Sequence, residues 1–211
     1  MREFYENYLL MKKGKRILGN LILAAIVILI IGVFGYYIVK SNRSFVPQSF
    51  IDARNKNATI AADMVSNLDE SVKSLNKISE EDSNHNYSAA LSLVNQEAGR
   101  VETARVDSVD ISKELIKMAE VVQDIKPSSA GKIALDAIQQ ETTLIEHVAN
   151  YNSYFASLLN SLKIKFLNNG NYDGNQEVQQ YISNMNKEAA DINTTNDALN
   201  QKLKEFDGAV N

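Results

Sequence analysis

The stretch VQQYISNMNKEAADINTTNDALNQKLKEF, residues 178–206, decides the fold because its apolar residues recur at helical spacing. One series repeats every seven residues, and a second series lies four places further on. This spacing places both series on one face of an α-helix, and that face must pack against other apolar surface. The two series are Val178, Met185, Ile192, Leu199 and Phe206, and Ile182, Ala189, Asn196 and Leu203.

Three earlier segments carry the same spacing, and helix-forming residues dominate the composition, so the sequence predicts an all-α fold. The four predicted helices cover about 48–80, 87–126, 129–167 and 175–207. The earlier stripes are Ala61, Val65, Leu68, Val72 and Leu75; Tyr87, Val94, Val101, Ser108, Leu115 and Val122, with Ala104, Ile111, Met118 and Ile125; and Ala130, Ala137, Leu144, Tyr151 and Leu158, with Ala134, Val148, Phe155 and Leu162.

Short breaks separate the stripes, at residues 80–86, 126–129 and 168–175. Pro127 cannot continue a helix interior, so the second break is predicted to turn the chain back, with Ser128 or Ser129 capping the next helix. One kinked helix through this point is the alternative. Short connections between long helices favour antiparallel neighbours. The sequence therefore predicts an antiparallel up-down four-helix bundle over 48–211, with helices of roughly 50 to 60 Å.

The segment before the bundle is long and apolar. Residues 17–39 carry no charge, and as a helix they span roughly 35 Å against a hydrocarbon core of roughly 30 Å. A cleaved secretory signal has a shorter apolar region followed by small residues, which this chain does not supply at the end of the segment. The sequence predicts one N-terminal transmembrane helix at 17–39, joined to the bundle by a linker at 40–47.

Basic residues before the apolar segment predict its direction. They are Lys12, Lys13, Lys15 and Arg16. Positive charge next to a span is held on the cytoplasmic side, so residues 1–16 form a short cytoplasmic tail and the bundle lies outside the cell. The lipid bilayer is then a predicted partner. The basic stretch ending in Gly14 or Gly19 is also similar to a prepilin leader, although neither position is followed by the glutamate of that pattern, and a pilus or secretion component is an alternative.

Charge and composition exclude some partners. The whole chain has a net charge of −4 at pH 7, and residues 41–211 carry 16 Lys and Arg against 24 Asp and Glu. Because phosphate binding needs a basic face, nucleic acid is not an expected partner. The chain contains no cysteine. Neither a disulfide nor a lipoprotein anchor is therefore possible, and the apolar core must stabilise the bundle.

The last break resembles the calcium-binding loop between two helices, in which oxygen side chains at positions one, three and five surround the ion. The matching residues are Asn169, Asn171, Asp173 and Gly174. Position twelve, an acid in that family, is Gln180 here, and Glu177 supplies the nearest further charge. The alternative is a plain helix junction in which Gly170 ends the third helix and Asp173 or Asn175 caps the fourth. No cofactor is predicted.

An aromatic and amide patch in the third segment is the predicted contact surface. Tyr151 and Phe155 belong to the apolar stripe, so their neighbours must point elsewhere. Asn150 and Tyr154 are therefore the residues expected to meet a partner protein.

Catalytic motifs do not occur in the sequence. It has no Ser, His and Asp constellation, no phosphate loop and no dinucleotide fingerprint, so no catalysis is predicted. The two histidines, His85 and His147, have no second imidazole or thiol at ligand spacing. A metal site is not expected from this pattern.

Two resemblances bear on function. The predicted architecture is similar to the four-helix extracytoplasmic module of chemoreceptors and sensor kinases, which implies ligand sensing through a partner. The run Ala53 to Phe166 looks like uncharacterised single-pass membrane proteins of reduced-genome and candidate-phylum bacteria, which have a helical outer domain. The sequence favours a membrane-anchored, extracytoplasmic helical scaffold or protein-interaction module of the cell envelope. Its expected partner is another envelope protein, and ligand sensing is the alternative.

Overall fold

Four long helices make up most of the computed structural model, which describes residues 44–172 and 174–211. They are α1 (Gln48–Ser83), α2 (Tyr87–Val121), α3 (Ser128–Leu167) and α4 (Asn175–Val210). The predicted all-helical class and the number of four helices are confirmed within these residues. The predicted transmembrane helix at 17–39 and its basic flank lie outside them. Among the helices that the structure describes, none is both long and apolar enough to cross a membrane.

The predicted stripes form the core of the bundle. Every stripe residue of the four segments is buried or half-buried. Leu199 in α4 and Val94 in α2 are almost completely enclosed, as is Ala130 at the start of α3. Burying a large aliphatic side chain contributes roughly 1.5 to 3 kcal/mol. The packing of these faces, rather than intrinsic helix propensity, therefore stabilises the long helices.

The break between α2 and α3 is longer than the sequence predicted. α2 ends at Val121 and passes into a 3-10 helix, Val122–Asp124, after which Ile125 is extended. The alternative of one kinked helix is therefore wrong. Pro127 itself precedes the first turn of α3, and no side chain caps that turn. The predicted cap by Ser128 or Ser129 is wrong because both residues already lie inside the helix.

The break between α3 and α4 turns through a left-handed glycine. α3 ends at Leu167, and Gly170 follows with φ at 85° and donates its N–H to the carbonyl oxygen of Lys165 at 2.9 Å. This bond satisfies a carbonyl at the helix end. Gly170 therefore lies in the turn beyond α3 and does not itself end the helix. α4 begins after Gly174 with no side-chain cap, so capping by Asn175 is wrong.

The chain before α1 is fastened to one end of the bundle. The N–H of Phe45 donates to the carbonyl oxygen of Lys126 at 3.2 Å, and the N–H of Lys126 donates back at 2.8 Å. The hydroxyl of Ser44 donates to the carbonyl oxygen of Val210 at the end of α4. Residues 44 and 45 therefore contact both the α2–α3 break and the last turn of the chain.

Consecutive helices pack against each other, and side chains also join helices that are not consecutive. The first turns of α1 contact the last turns of α4, while the last turn of α1 contacts the end of α3. These contacts are Arg54 with Asp207 at 3.1 Å, Phe50 with Phe206 at 5.7 Å between ring centres, and Lys165 with Asp82 at 2.6 Å.

Candidate functional site

Helix α2 exposes three large apolar residues on its outer face. Val106, Val109 and Ile116 are 46, 46 and 60% exposed. Their spacing of three and seven residues places them side by side along one face. We call this set the α2 stripe. Exposed apolar residues that are aligned in this way, rather than scattered singly, mark a surface suited to contact another protein.

Charged residues beside the α2 stripe are paired with each other. Arg105 contacts Glu102 at 2.6 Å, and Lys113 contacts Asp110 at 2.7 Å. Each pair joins residues three apart on the same helix, so both charges stay in water. At helical spacing these charged residues lie beside and between the stripe residues on the same outer face, so apolar and charged side chains alternate there.

The predicted contact residues are only partly available. Asn150 in α3 is exposed, but Tyr154 is half-buried and packs against the core. The sequence did not lead to the α2 stripe, because the heptad count followed only the inner face of each helix. The signal was present, since Val106, Val109 and Ile116 form a second apolar series on α2.

A small cavity lies at mid-height between the helices, where all four contribute. Its volume is about 50 Å³. One buried water needs roughly 10 to 15 Å³ of cavity volume, so the cavity has room for a few waters or a small chemical group. Most of the wall is apolar. The polar lining residues are Asn67, Ser71, Arg100 and Asn152.

The residues of the calcium-like loop are described only in part. Asn169 and Asn171 are exposed, and Asp173 lies outside the described residues. Glu177 in the first turn of α4 accepts a hydrogen bond from the Tyr172 hydroxyl at 3.2 Å. The Tyr172 hydrogen bond is the sort of contact expected at a helix junction.

A third cluster brings together residues that the sequence kept apart. His147 of α3 and Glu188 of α4 are 2.8 Å apart between Nδ1 and Oε2. Asp191, one turn along α4, completes a set whose three donor atoms all lie within 4.8 Å of one another. The expectation of no metal site rested on spacing along the chain. That spacing does not reveal ligands contributed by a neighbouring helix.

Comparisons with protein-family models, curated proteins and solved structures give no match for this chain.

Proposed function

We propose that this chain is a helical interaction module of the cell envelope, anchored by residues 17–39 and binding a partner protein through the α2 stripe. The exposed stripe is the observation that carries the proposal. The stripe residues Val106, Val109 and Ile116 stay exposed in the described part of the chain, so packing within the bundle does not explain their alignment. An apolar helix of a partner, laid along α2, would remove them from water, which is favourable by about 25 cal/mol per Å².

The up-down-up-down arrangement of the helices is part of this proposal. Contacts between helix ends support it, because the start of α1 meets the end of α4 and the end of α1 meets the end of α3. Lys56 near the start of α1 also pairs with Glu114 near the end of α2, at 2.6 Å. In such a bundle α2 has one long outward face, available along its whole length.

The anchor is proposed from the sequence, and the fastening of residues 44 and 45 supports its position. Both residues contact the end of the bundle that holds the α2–α3 break and Val210. An apolar helix ending at residue 39 would leave only a few residues before that end. The proposal therefore puts this end next to the bilayer and the breaks at 84–86 and 168–174 far from it.

Photo-crosslinking in intact cells tests the α2 stripe. A photoreactive residue at Val109 should capture a specific partner, and Val109→Glu should abolish co-purification of that partner because a charge would then be buried in the interface. Leu135 of α3 is a matched control, since it is apolar and 50% exposed on another helix. Equal capture from positions 109 and 135, or a partner retained by Val109→Glu, would remove the basis of the proposal.

The cavity favours ligand sensing as a second candidate. Arg100 lines an otherwise mostly apolar wall. Its guanidinium pairs with Glu97, so a small carboxylate with a short apolar part would have to share this cation with Glu97. Thermal unfolding of the full chain with acetate, propionate and butyrate at matched ionic strength tests this candidate. A rise in the midpoint that Val148→Trp removes, by filling the cavity, would support sensing. No rise with any of the three acids would reject it.

A further inference from the structure

We propose that His147, Glu188 and Asp191 bind one divalent transition-metal ion of the zinc class, which bridges α3 and α4. The set combines an imidazole nitrogen with two carboxylates, a ligand type found in three-residue zinc sites that keep a further position open for water. This site is independent of the α2 stripe and of any anchoring in the membrane.

The helices hold the three donors at nearly the separation that a metal needs. Glu188 and Asp191 are three residues apart, so they share one face of α4, and His147 faces them from the midpoint of α3. Zinc ligands at roughly 2.0 to 2.2 Å from the ion lie about 3.4 Å from each other in a tetrahedral site. The donor atoms of His147 and Glu188 are 2.8 Å apart, and all three donors lie within 4.8 Å of one another, so small side-chain rotations would suffice.

Local charge also points to a cation. Glu188 is only 8% exposed, and its partner is His147. In the part of the chain that the structure describes, no lysine or arginine pairs with Glu188 or with Asp191. Two neighbouring carboxylates, one of them buried, favour a cation beside them, and a divalent ion would supply that charge.

The ligand type selects the class of ion. Calcium and magnesium prefer sites made of oxygen, whereas an imidazole nitrogen suits zinc, cobalt, nickel and copper. A bound ion would replace the direct hydrogen bond between His147 and Glu188 with two bonds to the metal. It would fasten α3 to α4 at mid-height, close to the cavity wall at Val148 and Ile192.

Metal titration of the full chain tests the site. The protein is purified in detergent, stripped with EDTA, and titrated with Co²⁺ by visible absorption and with Zn²⁺ against a chromophoric chelator. We expect one ion per chain. His147→Ala and Asp191→Asn should each weaken Zn²⁺ binding by about 100-fold, in line with the loss of a ligand or of its immediate support.

Two matched variants serve as controls. His85→Ala removes the other histidine, and Asp197→Asn removes an exposed carboxylate further along α4. Both should leave the affinity unchanged. Circular dichroism establishes that each variant is folded. If His147→Ala does not fold, Asp191→Asn still tests the site, because it keeps the size of the side chain. Stoichiometric binding that survives both site variants, or no binding at micromolar Zn²⁺, overturns the proposal.

Discussion

Two glutamates packed between helices show how single charged residues are accommodated in this bundle. Glu114 is almost fully buried, and hydrogen bonds from Lys56 and then Lys117 hold its pKa below the ordinary value. Glu141 accepts a bond from Asn57 at 3.2 Å, but burial dominates and raises its pKa to about 7. A buried carboxylate is stabilised as an anion only where cations reach it. Glu114 meets this condition through two lysines that bond it directly, whereas Glu141 has only the charge of Arg54, which does not outweigh burial.

Replacing Glu141 should change the pH dependence of stability. The pKa in the folded protein, about 7, is above the ordinary 4.5, so ionisation opposes folding as pH rises between these values. Glu141→Gln removes this cost and can still accept the bond from Asn57. At pH 8 it should raise the free energy of unfolding by roughly 1 to 3 kcal/mol, since a tenfold change in proton affinity is worth about 1.4 kcal/mol and the side chain is partly exposed.

Urea unfolding of the full chain at pH 4 and pH 8 measures the effect. The variant and the parent should differ little at pH 4, where the carboxyl is mostly protonated whether the chain is folded or unfolded. Glu146→Gln, an exposed change on the same helix, is the control. An equal effect of Glu141→Gln at both pH values would contradict this account, because the change in stability would then not come from ionisation of Glu141.

Arg100 should contribute to stability mainly by neutralising the buried Glu97. Glu97 is 0% exposed and is paired with Arg100. Removing one partner of a buried pair leaves an uncompensated charge, which costs about 3 to 5 kcal/mol, whereas replacing both is often nearly neutral. Arg100→Met should therefore destabilise the protein far more than the double variant with Glu97→Met. Additive effects in a double-mutant cycle, measured by urea unfolding, would contradict this account.

At the scale of elements, the contact between the α2–α3 break and the first turn of α3 is a tight constraint. Gly131 is buried there, and a Cβ at this position would lie 2.9 Å from the carbonyl oxygen of Val122. That oxygen belongs to the backbone, so it cannot rotate away. The break can pack closely against α3 only because residue 131 has no side chain.

Two glycine substitutions should therefore have opposite effects. Gly131→Ala should destabilise the protein by about 1 to 3 kcal/mol through overpacking. Gly99→Ala, within α2, meets nothing within 4 Å and should stabilise it by about 0.5 to 1 kcal/mol through the better helix propensity of alanine. Thermal unfolding of both variants checks the signs. Destabilisation by both would mean that position 99 is more crowded than its open surroundings indicate.

The sequence predicted the elements well where periodicity determines them. Asn196 is a clear example, since it is polar yet occupies a stripe position and is 1% exposed. The helix ends were less predictable. Ser128 and Asn175 are good cap residues by type, but the chain enters both helices through Pro127 and Gly174. The conformation of the breaks decided these ends, and residue propensity alone does not determine that conformation.

The candidate sites were harder to predict than the fold. The α2 stripe was visible in the sequence, but only after the inner face of α2 had been assigned. The cluster of His147 and Glu188 depends on the register between α3 and α4, which joins residues 41 positions apart. One sequence contains no direct measure of that register.

For the whole molecule, the ion pairs between helices give a test of the up-down arrangement. A carbodiimide joins a lysine to a carboxylate only when the two are in contact. We expect crosslinks at both ends of the bundle, identified as linked peptides by mass spectrometry. The expected pairs are Lys56 with Glu114 and Lys202 with Asp136 at one end, and Lys165 with Asp82 at the other.

The control for these crosslinks is the exposed pair of Lys113 and Asp110, which lies within one helix and should react in any arrangement that keeps α2 helical. Links from Lys56 to acids near the start of α2 or of α4 would require parallel neighbours. Such links would contradict the proposed arrangement while leaving the four helices intact.

The fastening of Ser44 and Phe45 has a mechanical consequence. A pull on the chain from its N-terminal side would not unravel α1 one turn at a time, because the load would pass first into the backbone at Lys126 and Val210. The load would be shared between the α2–α3 break and the end of α4. If the proposed anchor pulls on this end, the bundle would resist the load as a unit.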